Sequence, residues 1–122
     1  MKEPQVEEYL ADLEENLKRA VDFCAETTVE LFEGDYRNQY AVIRALEIVG
    51  ESAKRIPEGI RVRDPEIPLK AMAGMRDRLI HGYDSVNLAL VWKTVRTTIP
   101  PLLPRIGALR NALADKGKKQ QD

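Results

Sequence analysis

The sequence predicts an all-α fold, an up-and-down bundle of four long helices plus a short C-terminal helix. Apolar residues recur at gaps of three and four over long stretches, which is the helical period. No run alternates apolar and polar residues as a half-buried strand would. Composition agrees: hydrophobic residues make up 43% and charged residues 32%, enough for one core under a well-solvated surface. At 122 residues the chain suits one domain, read as positions 1–114, with the polar tail 115–122, DKGKKQQD, expected to be disordered.

The first helix is expected from about Pro4, favourable in a first turn, to Glu33, with Gly34 as its stop. Its stripe is Val6, Tyr9, Leu10, Leu13, Leu17, Val21, Cys24, Thr28 and Leu31. The second covers roughly Gln39 to Ile56 and is apolar nearly all round, which makes it the central helix. Gly50 costs that helix about 1 kcal/mol against alanine, so a close helix neighbour is expected there. Three prolines and a glycine in PEGIRVRDPEIP, residues 57–68, forbid a regular helix and leave a structured loop anchored by Ile60, Val62 and Ile67. The third helix spans about Leu69 to Ile80 and buries Ala71, Met72, Met75, Leu79 and Ile80. Ser85 or Asn87 caps a fourth, running through Leu88, Val91, Trp92, Val95 and Ile99 until Pro100 and Pro101 break it. The pattern resumes at Leu102, Leu103, Ile106, Leu109 and Leu113.

Charge narrows the function classes. The formal net charge of −1 hides a split: residues 1–35 carry three basic and eleven acidic side chains, whereas 36–122 carry sixteen and nine. A polyanion is repelled by the first part and attracted to the second. No apolar stretch approaches bilayer length, and the acidic start MKEPQVEEYL lacks the apolar core of a signal peptide. Cys24 has no second cysteine to pair with, and one cysteine with one histidine is a poor metal-ligand supply. These features point to a cytoplasmic setting, no membrane, and chemistry without a metal or other cofactor.

The residues with chemistry gather in MRDRLIHGYD, positions 75–84, which holds the only histidine. His81 can take and give a proton near neutral pH. Arg76 can hold a phosphate through two parallel hydrogen bonds. Tyr83 can hydrogen-bond a phosphate or accept a covalent group. These are the parts for metal-free RNA cleavage, with the ribose 2′-OH as internal nucleophile, and DNA would resist it. On an unbroken helix positions 76 and 81 point about 140° apart. They meet only if the helix loosens near Gly82 or a second subunit closes the site, and a two-fold dimer is the favoured arrangement. Spacing alone leaves a plainer alternative open. A histidine at a helix C-terminus favours the dipole, Arg76 and Asp77 can be surface charges, and Tyr83 can be a packing residue.

RDRLIHGY fits Arg-x4-His-x-Tyr, which resembles the signature of prokaryotic HEPN domains. ALEIVGESAKRIPEGIR, PEIPLKAMAGMRDRLIHGY and LVWKTVRTTIPPLLPRI extend the resemblance to the HepT-like branch, covering about residues 38–110. The resemblance implies a HEPN-type bundle, a homodimer with the motif lining a cleft, and an endoribonuclease toxin of a type VII toxin–antitoxin pair. It implies Arg76 and His81 as catalytic residues, Asp77 as support, and Tyr83 as the residue that a minimal nucleotidyltransferase antitoxin modifies with AMP. The basic residues Arg61, Arg63, Lys70 and Arg78 are the expected RNA contacts. The alternative is a non-catalytic helical partner of the nucleotidyltransferase.

Overall fold

The computed structural model describes residues 3–81 and 86–121, with the side chains of 3, 4, 80, 81 and 116–121 outside the description. Seven α-helices are described: α1 Glu3–Ala25, α2 Val29–Glu33, α3 Tyr36–Lys54, α4 Glu58–Arg61, α5 Leu69–His81, α6 Leu88–Lys93 and α7 Leu102–Gln121. A π-helical turn, Thr94–Thr98, continues α6. No strand occurs among the described residues. The all-α bundle is the fold the sequence predicts.

The first expected helix is in fact two. The apolar period runs on through Thr28 and Leu31, but the helix ends at Ala25 and Thr28 starts a new one. Thr28 is extended, and its Oγ1 accepts from the Leu31 N–H at 3.2 Å, a local bond that competes with helix continuation. The break changes the phase: Phe32 is wholly buried while Leu31 is 64% exposed. The opened ends are closed from elsewhere. Asn38 Nδ2 donates to the Phe23 carbonyl at 2.9 Å, Arg96 Nη1 donates to that of Cys24 at 3.2 Å, and Gln39 Nε2 donates to that of Phe32 at 2.9 Å.

Helix α3 starts three residues earlier than its period suggests, because Asp35 caps it and accepts from the Asn38 N–H at 3.1 Å. Its first turn is therefore surface: Tyr36 and Tyr40 are exposed and meet edge to face. Beyond that turn α3 is central, packed on α1 along one side and on α5 along another. Val42, Ala45, Leu46, Val49 and Ala53 carry the packing. In the 57–68 connection Ile67 is buried, Ile60 is half-buried, and Val62 is exposed rather than an anchor. The connection holds one helical turn, α4, and is tied to α7 where Arg105 reaches Asp64 at 2.9 Å and also pairs with Glu66. On α5 the core positions are Leu69, Met72 and Leu79, with Met75 half-buried and Ala71 exposed. Ile80's side chain lies outside the described residues.

Asn87 caps α6, accepting from the Leu90 N–H at 3.0 Å. The Pro100–Pro101 pair ahead removes two amide donors. The helix widens before it, with the Ile99 N–H bonding the carbonyl of Thr94, five residues back, at 2.9 Å. Val95 and Ile99 stay buried, and Trp92 packs its ring against Phe32 at 5.5 Å. Helix α7 lays Ile106, Leu109 and Leu113 against the bundle, and α1 is its chief neighbour. Its backbone stays helical to Gln121, so the stretch from position 115 extends the helix where a tail was expected. One nearly buried carboxylate, Glu14, is matched by Arg110 at 2.7 Å and Lys18 at 3.5 Å. Cys24 is buried, and that burial pushes its thiol pKa up against the opposing influence of Arg96.

Among the described glycines, Gly50 is the most closely approached. A Cβ there would lie 2.0 Å from Arg76 Cβ and 2.9 Å from the Met72 carbonyl oxygen. The expected close neighbour of Gly50 is therefore α5, and only a glycine permits the approach. Gly50→Ala is expected to lose on the order of 1–3 kcal/mol through forced separation of the two helices, despite alanine's better helix propensity. Gly74→Ala, where a Cβ meets nothing within 4 Å, is expected to gain up to about 1 kcal/mol. Urea denaturation of the two variants checks the opposite signs.

Candidate functional site

Because α5 touches α3 at Gly50, Arg76 leaves its helix at the crossing itself, and its side chain is 27% exposed. The guanidinium lies between two carboxylates. Arg76 Nη2 is 3.1 Å from Glu51 Oε2 on α3, and Nη1 is 3.1 Å from Asp77 Oδ1 on its own helix. Each carboxylate has a second cation from the C-terminal end of α3, Arg55 being its C-cap residue. Glu51 Oε1 accepts from Arg55 Nη2 at 3.2 Å, and Asp77 Oδ1 accepts from Lys54 Nζ at 2.6 Å. Arg55 in turn sits over the Tyr9 ring of α1, 5.7 Å from its centre. An unbroken chain of polar contacts thus runs across three helices, from Tyr9 to Lys54.

The electrostatics follow from this order. The hydrogen bond from Lys54, and then that from Arg76, hold the Asp77 carboxyl below the usual carboxylate range. The hydrogen bond to Glu51, and then the contact with Tyr9, hold the Arg55 guanidinium above its ordinary value. A cleft of about 410 Å³ opens between α1 and α3, with Arg76 at its α5 edge. Arg44, Arg55 and Arg76 face it together with Asp12, Glu47 and Glu51. Three guanidiniums with hydrogen-bonding capacity can receive a phosphate, and the interleaved acids offset their mutual repulsion.

Other sequence-predicted residues are placed differently. Helix α5 is regular to its last residue, His81, so no loosening separates positions 76 and 81. The His81 side chain and all of residues 82–85, Tyr83 included, lie outside the described residues. Arg61 is turned inward: Nε donates to the Ile56 carbonyl and Nη2 to that of Ala53, both at 2.7 Å, which closes the end of α3. Its guanidinium is not part of the Arg76 cluster. Arg63, Lys70 and Arg78 are exposed and form no ion pair with any described residue. Arg78 borders a separate, apolar groove of about 710 Å³ between α5 and α6, lined by Met72, Met75, Leu79 and Leu90. Among the described residues no group of three His, Cys, Asp or Glu is placed to hold a metal ion, and no helix is long and apolar enough to cross a membrane.

Glu51, Arg55 and Tyr9 were not singled out as site residues by the sequence. Their signal was available only in part: Gly50 marks the crossing, and Glu51 and Arg55 follow at i and i+4 on one face.

A helical bundle whose crossing helix carries Arg76 and ends at His81, in a sequence that reads Arg-x4-His-x-Tyr, defines a class of small helical domains. Residues 13–109 match the model of the family described as Ribonuclease HepT-like, and the chain belongs to that family. It is 45% identical over 103 residues to a Thermococcus cleftensis protein named as a probable ribonuclease HepT, covering 84% of this chain and 94% of the relative. A candidate RNase of Methanocaldococcus jannaschii is 39% identical over 100 residues, covering 82% and 83%. Another from the same organism is 35% identical over 116 residues, covering 95% of this chain and all of the relative. No solved structure matches the chain at a comparable level of significance.

Asp77 gives a pH prediction. Its carboxyl ionises more readily folded than unfolded, so its contribution to stability is present above the ordinary carboxylate value and is lost as pH falls through the lowered one. Asp77→Asn is expected to melt below the native chain at pH 7. The gap should close on acidification past the folded-state value, as read by circular dichroism; a gap independent of pH would contradict the assignment.

Proposed function

We propose that this chain is a metal-independent endoribonuclease and the toxin half of a type VII toxin–antitoxin pair in the prokaryotic cytoplasm. The observation that carries the reading is the guanidinium of Arg76, fixed at a helix crossing beside a cleft and five residues before the only histidine, in a chain of the HepT-like family. In this reading Arg76 clamps the scissile phosphate. One His81 accepts the proton of the 2′-OH as the 2′-oxygen bonds to phosphorus. The bond from phosphorus to the 5′-oxygen breaks, and that oxygen takes up a proton. The products are a 2′,3′-cyclic phosphate end and a 5′-hydroxyl end. Positions 76 and 81 point about 140° apart on a regular helix, which supports a homodimer in which each subunit completes the other's site. A nucleotidyltransferase antitoxin silences the toxin by joining AMP to the Tyr83 hydroxyl with release of pyrophosphate from ATP. The new bulk and negative charge then sit where RNA must approach.

A second reading, a non-catalytic partner of the nucleotidyltransferase, draws on one observation. Both terminal nitrogens of Arg76 already face carboxylates, so the cleft is near neutral rather than strongly basic.

Cleavage of a fluorescent RNA in the presence of a chelator separates the readings. His81→Ala and Arg76→Ala are each expected to lower the rate by about 10²–10⁴ without changing helix content. A 2′-deoxy substitution at the cleavage position should abolish cutting. Intact RNA with the native homodimer would favour the second reading. Tyr83→Phe is expected to cleave RNA yet escape silencing when the antitoxin and ATP are added; silencing of that variant would remove Tyr83 as the modified residue.

A further inference from the structure

Glu51 poses an electrostatic problem. It adds negative charge to the cleft in which, on the ribonuclease reading, a polyanion must settle. A carboxylate there weakens RNA approach unless it does something that outweighs the repulsion. Its contacts say what that is. Glu51 directly follows Gly50, where the backbone of α3 lies against Arg76 Cβ and the Met72 carbonyl. The separation of the two helices is therefore set by contact, and the Glu51 carboxylate starts from a fixed place. One oxygen holds Arg76 Nη2 at 3.1 Å and the other holds Arg55 Nη2 at 3.2 Å. The same carboxylate thus orients Arg76 and keeps a second guanidinium from pushing it away. The other anchor, Asp77, is itself tied to α3 through Lys54.

We infer that Glu51 is the positioning residue for Arg76: it holds the guanidinium at the cleft edge in the geometry that phosphate requires, without itself touching RNA. The inference rests on the ribonuclease reading for its kinetic consequence but not for its structural one. A long arginine side chain with four rotatable bonds has many poses, and rate depends steeply on presenting the productive one. The carboxylate selects it before substrate arrives.

The test uses the full-length chain and the variants Glu51→Gln and Glu51→Asp, with melting curves to verify folding. Nitrogen-15 NMR of the Arg76 guanidinium, assigned by its loss in Arg76→Lys, reads the structural half without RNA. Hindered rotation of the Arg76 Nη groups is expected in the native chain and faster rotation in Glu51→Gln, where Asp77 alone still holds Nη1. Unchanged Arg76 signals would overturn the proposal. Kinetics on the fluorescent RNA reads the other half. Glu51→Gln is expected to lower kcat by about 10- to 100-fold while KM stays equal or falls, since a repelling charge is gone. Glu51→Asp, with its carboxylate one methylene short, should recover part of kcat. A bystander carboxylate gives the reverse sign: the glutamine variant would bind RNA more tightly and cleave at least as fast, which would sink the proposal. A native chain that leaves RNA intact rejects the ribonuclease reading instead, and the NMR arm alone then decides whether Glu51 holds Arg76.

Discussion

At position 50 a hydrogen stands where any other residue would place a carbon 2.0 Å from the Cβ of Arg76. That missing side chain lets α5 lie directly on α3, and most of what the site can do follows from it. With the helix axes drawn together, short and medium side chains bridge them: Glu51 to Arg76 and Lys54 to Asp77. Consecutive residues of α5 are thereby gripped by two residues of α3 three apart, a spacing that puts both on one helical face. An arginine on a more distant helix would be longer in reach and looser in aim.

The second constraint is charge placement. The acidic first helix does not face solvent with all its acids. Glu14 is drawn inward against Arg110, and Asp12 and Tyr9 look onto the polar cleft. The cationic excess of the later helices is likewise distributed unevenly. Arg61 and Arg96 are spent on backbone carbonyls at helix ends, and Arg105 on the connector before α5. The guanidiniums left at the cleft are Arg44, Arg55 and Arg76, each next to an acid: Glu47 for the first, Glu51 for the other two. The result is a nearly neutral surface in which carboxylates and guanidiniums alternate, Glu51 shared between Arg55 and Arg76.

Period and punctuation in the sequence were enough for the fold class, the central helix and the close approach at Gly50, and they narrowed the α6 cap to Ser85 or Asn87, of which the structure uses Asn87. They were not enough for the break after Ala25, since Thr28 and Leu31 keep the helical phase and a hydroxyl bond to the Leu31 amide decides the matter locally. The wide turn at Thr94–Thr98 leaves no mark on the apolar pattern either, because Val95 and Ile99 remain inside. Of the candidate site, Arg76 and Asp77 were legible from the motif, and the Lys54 pairing was not, because a helical period names the buried face and not the partner. Arg61 shows the opposite error. Its charge marked it as an RNA contact, but the chain reversal at Pro57 carries it back onto the last carbonyls of α3.

The lone thiol has a practical side. Cys24 is sealed between helices with its carbonyl held by Arg96, and burial keeps the sulfur protonated and out of reach of solution electrophiles. Slow reaction of the natural chain with maleimide dyes at neutral pH is the expected consequence. A single cysteine introduced on the surface would take the label alone, so distance probes can be attached to this protein without first removing its own sulfhydryl.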